Sequence, residues 1–319
     1  MNSSTPGLTE HPPEPEWLQG PRGRLAWYPY PAQNPWLRVL ISHGFSEHGG
    51  WWHHVARALA ARGIDAFLYD QYHHGQSDGA PGDVASYDDL IAGFELALAH
   101  SGEGTREGLE EDSEEERPPL VVLAHSNGAL VALLALEAIA PARVQGLVLS
   151  APFLDMPPHL ALFGTLLARV LHLFAPRLKV ANLIRPHRLT THRPIWPQYN
   201  ADPLRFRYLT PRFFLAMRRA IARAASVSFP PGRALLVLRA GEEQVVSPPA
   251  LERFFRKVPA RDKTLREYPG LRHELFNAPQ WEAVVDDVVA WCRERFGGDS
   301  ATEGIPEPAS AGTAPPAGG

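Results

Sequence analysis

The chain has 319 residues, 45% of them hydrophobic, a formal net charge of −4 and a single cysteine. That length buries a large core with room for an insertion, the near-neutral charge leaves no electrostatic footprint for a nucleic acid, and one thiol excludes an internal disulfide and fits a reduced compartment. No run of about 20 apolar residues offers a membrane span, and the start "MNSSTPGLTEHPPEPEW" lacks the basic-then-apolar order of a signal peptide, so a cytoplasmic setting is expected.

Residues 1–16 read as a flexible arm and 299–319 as a disordered tail, both rich in Pro, Gly, Ser and Ala. Between them strand-like and helical patterns alternate. "LRVLIS" (37–42) precedes a helix over "WWHHVARALAARG", where Trp51, Val55, Ala58 and Leu59 recur at helical spacing. "DAFLYD" (65–70) precedes a helix near 87–100. The stretch 101–119 has eight acids against Arg106 and Arg117 and reads as a solvated loop. "PLVVLA" (119–124) precedes the helical "NGALVALLALEAIA", and "VQGLVLSAPF" leads into 154–230.

That segment stands where a short connection is expected. It has twelve arginines and lysines against Asp155 and Asp202, a net charge of about +10, and an apolar run, "LALFGTLLARVLHLF", broken by Arg169 and His172. It is expected to form a helical, basic lid. Then follow "ALLVLRAG" (234–241), a helix near 249–257, the strand "KTLREYP", and a closing helix over "QWEAVVDDVVAWCRERF" in which Cys292 is a buried small hydrophobe. Repeated strand–helix units predict an α/β fold, a mostly parallel sheet flanked by helices, with its core in 17–153 and 231–298.

Ser126 follows "PLVVLA" and opens a helix, the place of a nucleophile at a sharp strand-to-helix turn. A helix-capping serine would stand there too. The turn needs small residues two positions away on each side, and the chain has Ala124 and Gly128, A-H-S-N-G against the usual G-x-S-x-G. A serine nucleophile needs a base and a group to orient it. Glu242 and Glu243 follow one strand and His273 follows the next, giving the order serine, acid, histidine; Asp155, in "APFLD", is a second place for the acid. His43-Gly44 in "ISHGFSEHGGWW" can present the Phe45 N–H towards the serine, forming an oxyanion hole with that of Asn127. The pairs His53-His54 and His73-His74 read as structural or solvent-facing. "HELFN" has Asn277 where H-E-x-x-H requires histidine, and "GEGTREG" follows no strand, so neither metal nor cofactor is expected.

From about residue 20 to 298 the chain resembles an α/β-hydrolase of the monoacylglycerol lipase and lysophospholipase group, the serine aminopeptidase S33-like hydrolases. "HGFSEHGGWW" is similar to the group's H-G-x-x-E-H-x-x-R-[YW], "YDQYHHGQSDG" to D-x-x-G-H-G-x-S-x-G, and "LAHSNG" to G-H-S-x-G. "AGEEQVV" is similar to A-G-x-D-x-V-V, and "YPGLRHELFNAP" to Y-x-G-x-x-H-E-[LI]-x-N-E. The resemblance implies Ser126 as nucleophile, His273 as base, Glu243 as acid, and Phe45 and Asn127 as oxyanion donors. Ala124, His73 and Glu243 depart from the patterns, which have Gly, Gly and Asp there.

The expected activity is hydrolysis of carboxylic esters of single-acyl-chain lipids, lysophospholipid or monoacylglycerol, through an acyl-enzyme and without a cofactor. The basic lid favours a phosphate-bearing head group or peripheral contact with an anionic membrane surface. Alternatives are a general carboxylesterase, a peptidase or amidase, which would want acids in the lid to hold an amine, and a non-catalytic binding protein of the same fold.

Overall fold

The computed structural model describes residues 13–103, 117–140, 142–182 and 184–297. Most of the expected arm, the middle of the acidic loop and the tail lie outside the described residues. Chain order begins with β1 (Glu16–Gly20), β2 (Gly23–Tyr30), β3 (Leu37–Ser42), α1 (His53–Ala60), β4 (Ile64–Tyr69) and α2 (Tyr87–Glu103). It continues through β5 (Leu120–His125), α3 (Asn127–Leu136) and β6 (Gly146–Ser150). Next come a π-helical turn (Leu160–Gly164), α4 (Thr165–Phe174), β7 (Val180–Ala181), α5 (Pro186–Leu189), α6 (Trp196–Ala201), β8 (Tyr208–Leu209) and α7 (Pro211–Ala224). Last are β9 (Ala234–Ala240), α8 (Pro248–Lys257), β10 (Lys263–Tyr268) and α9 (Trp281–Phe296).

Eight strands form one sheet in the order β1-β2-β4-β3-β5-β6-β9-β10. The six from β4 to β10 run parallel, while β2 pairs antiparallel with β4 and with β1. Successive side chains of a strand face opposite ways, and the parallel strands inside the edge strand β10 bury apolar residues at both parities. Leu40, Val122 and Leu235 therefore pack on one face with α2 and α3, and Val39, Leu123 and Leu236 on the other with α1 and α9. The six parallel strands lie within a residue or two of the sequence reading. The β1–β2 hairpin was missed, and β1 begins at Glu16, inside the expected arm.

The helix expected to run through "EAIA" stops at Leu136, and Arg233 explains how its end is held. This side chain is 1% exposed, and its guanidinium donates to the carbonyls of Leu136, Ile139 and Val144 at 3.3, 2.9 and 2.9 Å. It satisfies carbonyls left open at the end of α3 and ties them to the entry of β9.

Between β6 and β9 two helices behave differently. α7 buries Phe213, Ala216, Met217, Ala220 and Ile221 against the core. α4 buries only Ala168, and leaves Leu173 and Phe174 78% and 84% exposed. Part of this segment's positive charge is met by carboxylates, Asp83 and Asp88 of the core and Asp155 of the segment itself. Arg212 and Arg177 pair with Asp83, Arg223 with Asp88, and Arg218 with Asp155. Among the described residues no helix is long and apolar enough to cross a membrane.

Arg233→Met should lower stability by about 3 kcal/mol, because it leaves buried carbonyls without a donor. Urea denaturation of the variant against the wild type measures this, and Arg233→Lys should recover part of the loss.

Candidate functional site

The apolar run of β5 ends at His125 in the middle of the sheet, and the chain reverses at once into α3. The hinge is Ser126, at φ 48° and ψ −113°, a strained state for a residue with a side chain. Its N–H donates to Ser150 O at 2.9 Å, and its carbonyl accepts from Phe153 N at 3.0 Å. The turn is this tight only because Gly128 lacks a side chain: a Cβ there would lie 2.4 Å from Ser42 O and 2.5 Å from His43 O. Ala124, by contrast, is accommodated, fully buried in β5.

Ser126 makes no side-chain cap to α3. Its hydroxyl instead lies 2.9 Å from His273 Nε2, and His273 Nδ1 lies 2.8 Å from Glu243 Oε2. Donation from Nδ1 to the carboxylate leaves Nε2 as acceptor for the serine proton. The other Glu243 oxygen accepts from the N–H groups of Val245 and Val246 at 2.7 and 3.2 Å. Burial pushes this carboxyl's pKa up, but His273 and the two backbone donors outweigh it and bring it below the usual range. Glu242 is exposed and faces Arg272 at 3.5 Å, and Asp155 accepts from Arg218 at 2.8 Å, so neither reaches the imidazole.

The loop after β3 runs along the serine: a Cβ on Gly44 would lie 3.4 Å from Ser126 Cβ. Among the described residues neither the Phe45 N–H nor that of Asn127 has an acceptor, and Asn127 opens α3, where backbone donors are free. His43 stiffens this loop. Its Nε2 accepts from Gln71 N at 2.9 Å, so its Nδ1 carries the proton given to Gly44 O, also at 2.9 Å.

Three carboxylates that the sequence reading quoted in motifs or in the lid, without giving them roles, tie the loops together. Asp70 accepts from Gly49 N at 2.6 Å and Gln76 N at 2.8 Å, joining the turn after β4 to the β3 loop. In that turn His73 holds φ 65°, the left-handed state that explains glycine in the pattern. Asp202 accepts from His48 Nε2 at 2.9 Å and Trp51 Nε1 at 2.7 Å, fastening the β6–β9 segment to the same loop. Glu47 accepts from Gly44 N at 2.8 Å and Trp52 Nε1 at 3.2 Å, and shares a proton with the carboxyl of Glu274, the residue after His273. Burial and the neighbouring Glu47 raise Glu274 well above the carboxylate range. Burial also opposes ionisation of Glu47, but His125, Arg205, the Gly44 N–H and the Glu274 hydroxyl hold it down at about 2. A charged and a neutral carboxyl thus face each other.

Ser126 and His273 open into a cavity of about 230 Å³ whose far wall comes from the β6–β9 segment, with Arg185, Arg205 and Arg207 among its lining. Trp51 stands at the arginine of the H-G-x-x-E-H-x-x-R pattern. The guanidinium beside its ring comes instead from Arg205, 5.4 Å from the Trp51 centroid and 4.4 Å from that of Tyr199. The other histidines are structural: burial depresses His53, His54 and His74 to about 3, 4 and 3. Among the described residues no group of three or more His, Cys, Asp or Glu is placed to hold a metal.

A family model described as serine aminopeptidase, S33, matches residues 33–280. The chain is 27% identical over 266 residues to a monoacylglycerol lipase of Mycolicibacterium smegmatis, covering 82% of this chain and 89% of the lipase. A phospholipase of Bacillus subtilis is 25% identical over 258 residues, 79% of this chain and 93% of its own. In structure the fold is similar to a soluble variant of the Saccharomyces cerevisiae monoglyceride lipase in complex with a substrate analogue, with a TM-score of 0.74 at 20% identity, covering 92% and 98% of the two chains.

Gly128→Ala should cost about 2–3 kcal/mol or prevent folding, since the new methyl meets backbone oxygens that cannot yield. Ala124→Gly should stay within about 1 kcal/mol of wild type, the usual price of a glycine in a strand; thermal unfolding compares the two.

Proposed function

The chain belongs to the serine aminopeptidase S33 family of hydrolases, and from that membership we propose that it hydrolyses carboxylic esters of single-acyl-chain lipids. The observation that carries the reading is the hydrogen-bonded line Ser126–His273–Glu243 at the floor of the cavity. In this reading Ser126 Oγ attacks the ester carbonyl while His273 Nε2 takes its proton. The tetrahedral oxyanion is met by the N–H groups of Phe45 and Asn127, each such donor being worth roughly 3 kcal/mol in the transition state. His273 returns the proton to the leaving alcohol, the acyl group stays on Ser126, and a water activated by the same imidazole releases the fatty acid. Glu243, ionised because its partners outweigh its burial, keeps the imidazole in the required tautomer and stabilises its protonated form.

The relatives named monoacylglycerol lipase and phospholipase support an acyl-lipid substrate. An aminopeptidase reading is weakened by the acids available to hold an amine, because Asp202 is already bound by His48 and Trp51 and Asp155 by Arg218. In our reading residues 154–230 form a lid whose α4 rests on the lipid surface. Leu162, Phe163, Leu166, Leu173 and Phe174 are each more than 60% exposed on this helix and the turn before it. Such a contiguous apolar face, with Arg169, Arg177 and Lys179 nearby in the chain, suits the boundary of an anionic bilayer.

Ser126→Ala should abolish ester hydrolysis with unchanged thermal unfolding. Glu243→Gln should reduce kcat by roughly 10³–10⁴-fold, whereas Glu242→Gln and Asp155→Asn should change it less than about tenfold; a larger loss from Asp155→Asn would move the acid to the other strand end. For the lid, Leu173→Asp with Phe174→Asp should weaken sedimentation with anionic vesicles by roughly tenfold or more, as expected for removing two buried apolar anchors. The same variant should keep its rate on soluble p-nitrophenyl butyrate, and equal vesicle binding by both proteins would remove α4 from the docking surface.

A further inference from the structure

Within the cavity beside Ser126 one buried guanidinium nitrogen is left without a hydrogen-bond acceptor. The Nη1 of Arg205 is buried and has no hydrogen-bond partner among the described residues. Its guanidinium is held in place by the rings of Tyr199 and Trp51, which stack on each other at 4.0 Å and 2°. Aromatic faces hold the position of a cation but take none of its N–H hydrogen bonds.

The nearby carboxylates are already engaged. Asp202 accepts from His48, Trp51 and the Leu204 N–H, and Glu47 from Gly44, Trp52 and the Glu274 hydroxyl. Arg207 and Arg185 line the same cavity, both exposed, and neither has an ion-pair partner among the described residues. In this they differ from Arg177, Arg212, Arg218 and Arg223 of the same segment, which are paired with carboxylates. Burial disfavours the charge of Arg205, Glu47 and Asp202 attract it, and the positive charge of Arg207 opposes them, so the two guanidiniums lie close enough to repel. Because Glu274 keeps its proton, the three guanidiniums that line the cavity face one carboxylate charge within the lining, that of Glu47, with Asp202 acting on Arg205 from outside it and already bound by three donors.

We propose that Arg205, with Arg185 and Arg207 at the rim, forms a subsite for the phosphate of the leaving group, so that the enzyme prefers a lysophospholipid over a monoacylglycerol. The inference rests on the esterase reading above. A glyceryl leaving group brings hydroxyls, which donate as readily as they accept. A phosphate brings paired anionic oxygens that match the guanidinium fork.

The full chain is assayed on lysophosphatidylglycerol and on monoacylglycerol of the same acyl chain, each at low mole fraction in neutral detergent micelles so that surface charge stays small. The ratio of kcat/KM should favour the phospholipid and fall about tenfold in Arg205→Gln, the scale of one lost charge-assisted contact. Arg205→Lys should recover only part of the ratio. Arg185→Gln with Arg207→Gln, both at exposed positions, should also lower it and carries the test if Arg205→Gln does not fold. On soluble p-nitrophenyl butyrate, glycerol 3-phosphate should compete where glycerol at the same concentration does not, and Arg205→Gln should weaken that competition.

Equal loss on both lipids in Arg205→Gln, or a wild type indifferent to the phosphate, overturns the subsite and leaves the esterase intact. Inorganic phosphate competing as strongly as glycerol 3-phosphate overturns the head-group assignment in favour of a site for the free anion. A wild type that hydrolyses none of the three esters overturns the esterase reading beneath it.

Discussion

Ser126 is held at φ 48° and ψ −113°, a backbone state that costs on the order of 1–3 kcal/mol, and the surrounding fold is arranged to keep it there. β5 lies between β3 and β6, buried at every position, so the strand entering the turn has no freedom to relax. On the other side α3 is buried along its whole length and is pressed against the end of β3 through Gly128. The N–H and carbonyl of Ser126 are both bound to the chain leaving β6. A hinge fixed on three sides can aim its hydroxyl only above the carboxyl edge of the sheet. The β9 and β10 loops end at that same edge, and bring Glu243 and His273 to meet it.

Loops at a sheet edge are mobile unless something joins them, and here carboxylates do so. Asp70 joins the β4 turn to the β3 loop, Asp202 joins the β6–β9 segment to it, and the Glu47–Glu274 pair joins it to the loop of His273. Each link spans elements far apart in sequence. Together they make the loop after β3, the loop of His273 and the cavity wall one connected body.

The parallel strands were legible in the sequence because short, mostly apolar runs alternate with helical patterns, β10 (KTLREY) by its place in that alternation rather than by its composition. Ser126, Glu243 and His273 were legible as candidates because each follows such a strand. The β1–β2 hairpin was not: β1 is a five-residue, largely exposed edge strand with only Trp17 and Leu18 apolar, and it adjoins the Pro-rich start of the chain. Glu242 and Glu243 could not be separated from the residues alone, since what distinguishes them is the turn that aims two N–H groups at Glu243. Which charges of the β6–β9 segment are paired was hidden for a related reason. A tally along the chain sees Arg212 and Arg218 but not that Asp83 and Asp155 sit opposite them. Arg205 was equally hidden, because its isolation is a property of what surrounds it in space.

The contrast between α7, packed on the core, and α4, almost wholly bare, has a consequence for the molecule away from any lipid. Water bordering Leu162, Phe163, Leu173 and Phe174 is released by whatever covers them first. In a concentrated solution of this protein the nearest apolar cover is the same helix of another copy. Excluded salts such as sulfate strengthen that tendency, and agents that solvate apolar surface relieve it. Among the described residues α4 and the turn before it carry most of the exposed large apolar side chains, so mild detergent should disperse copies that sulfate gathers.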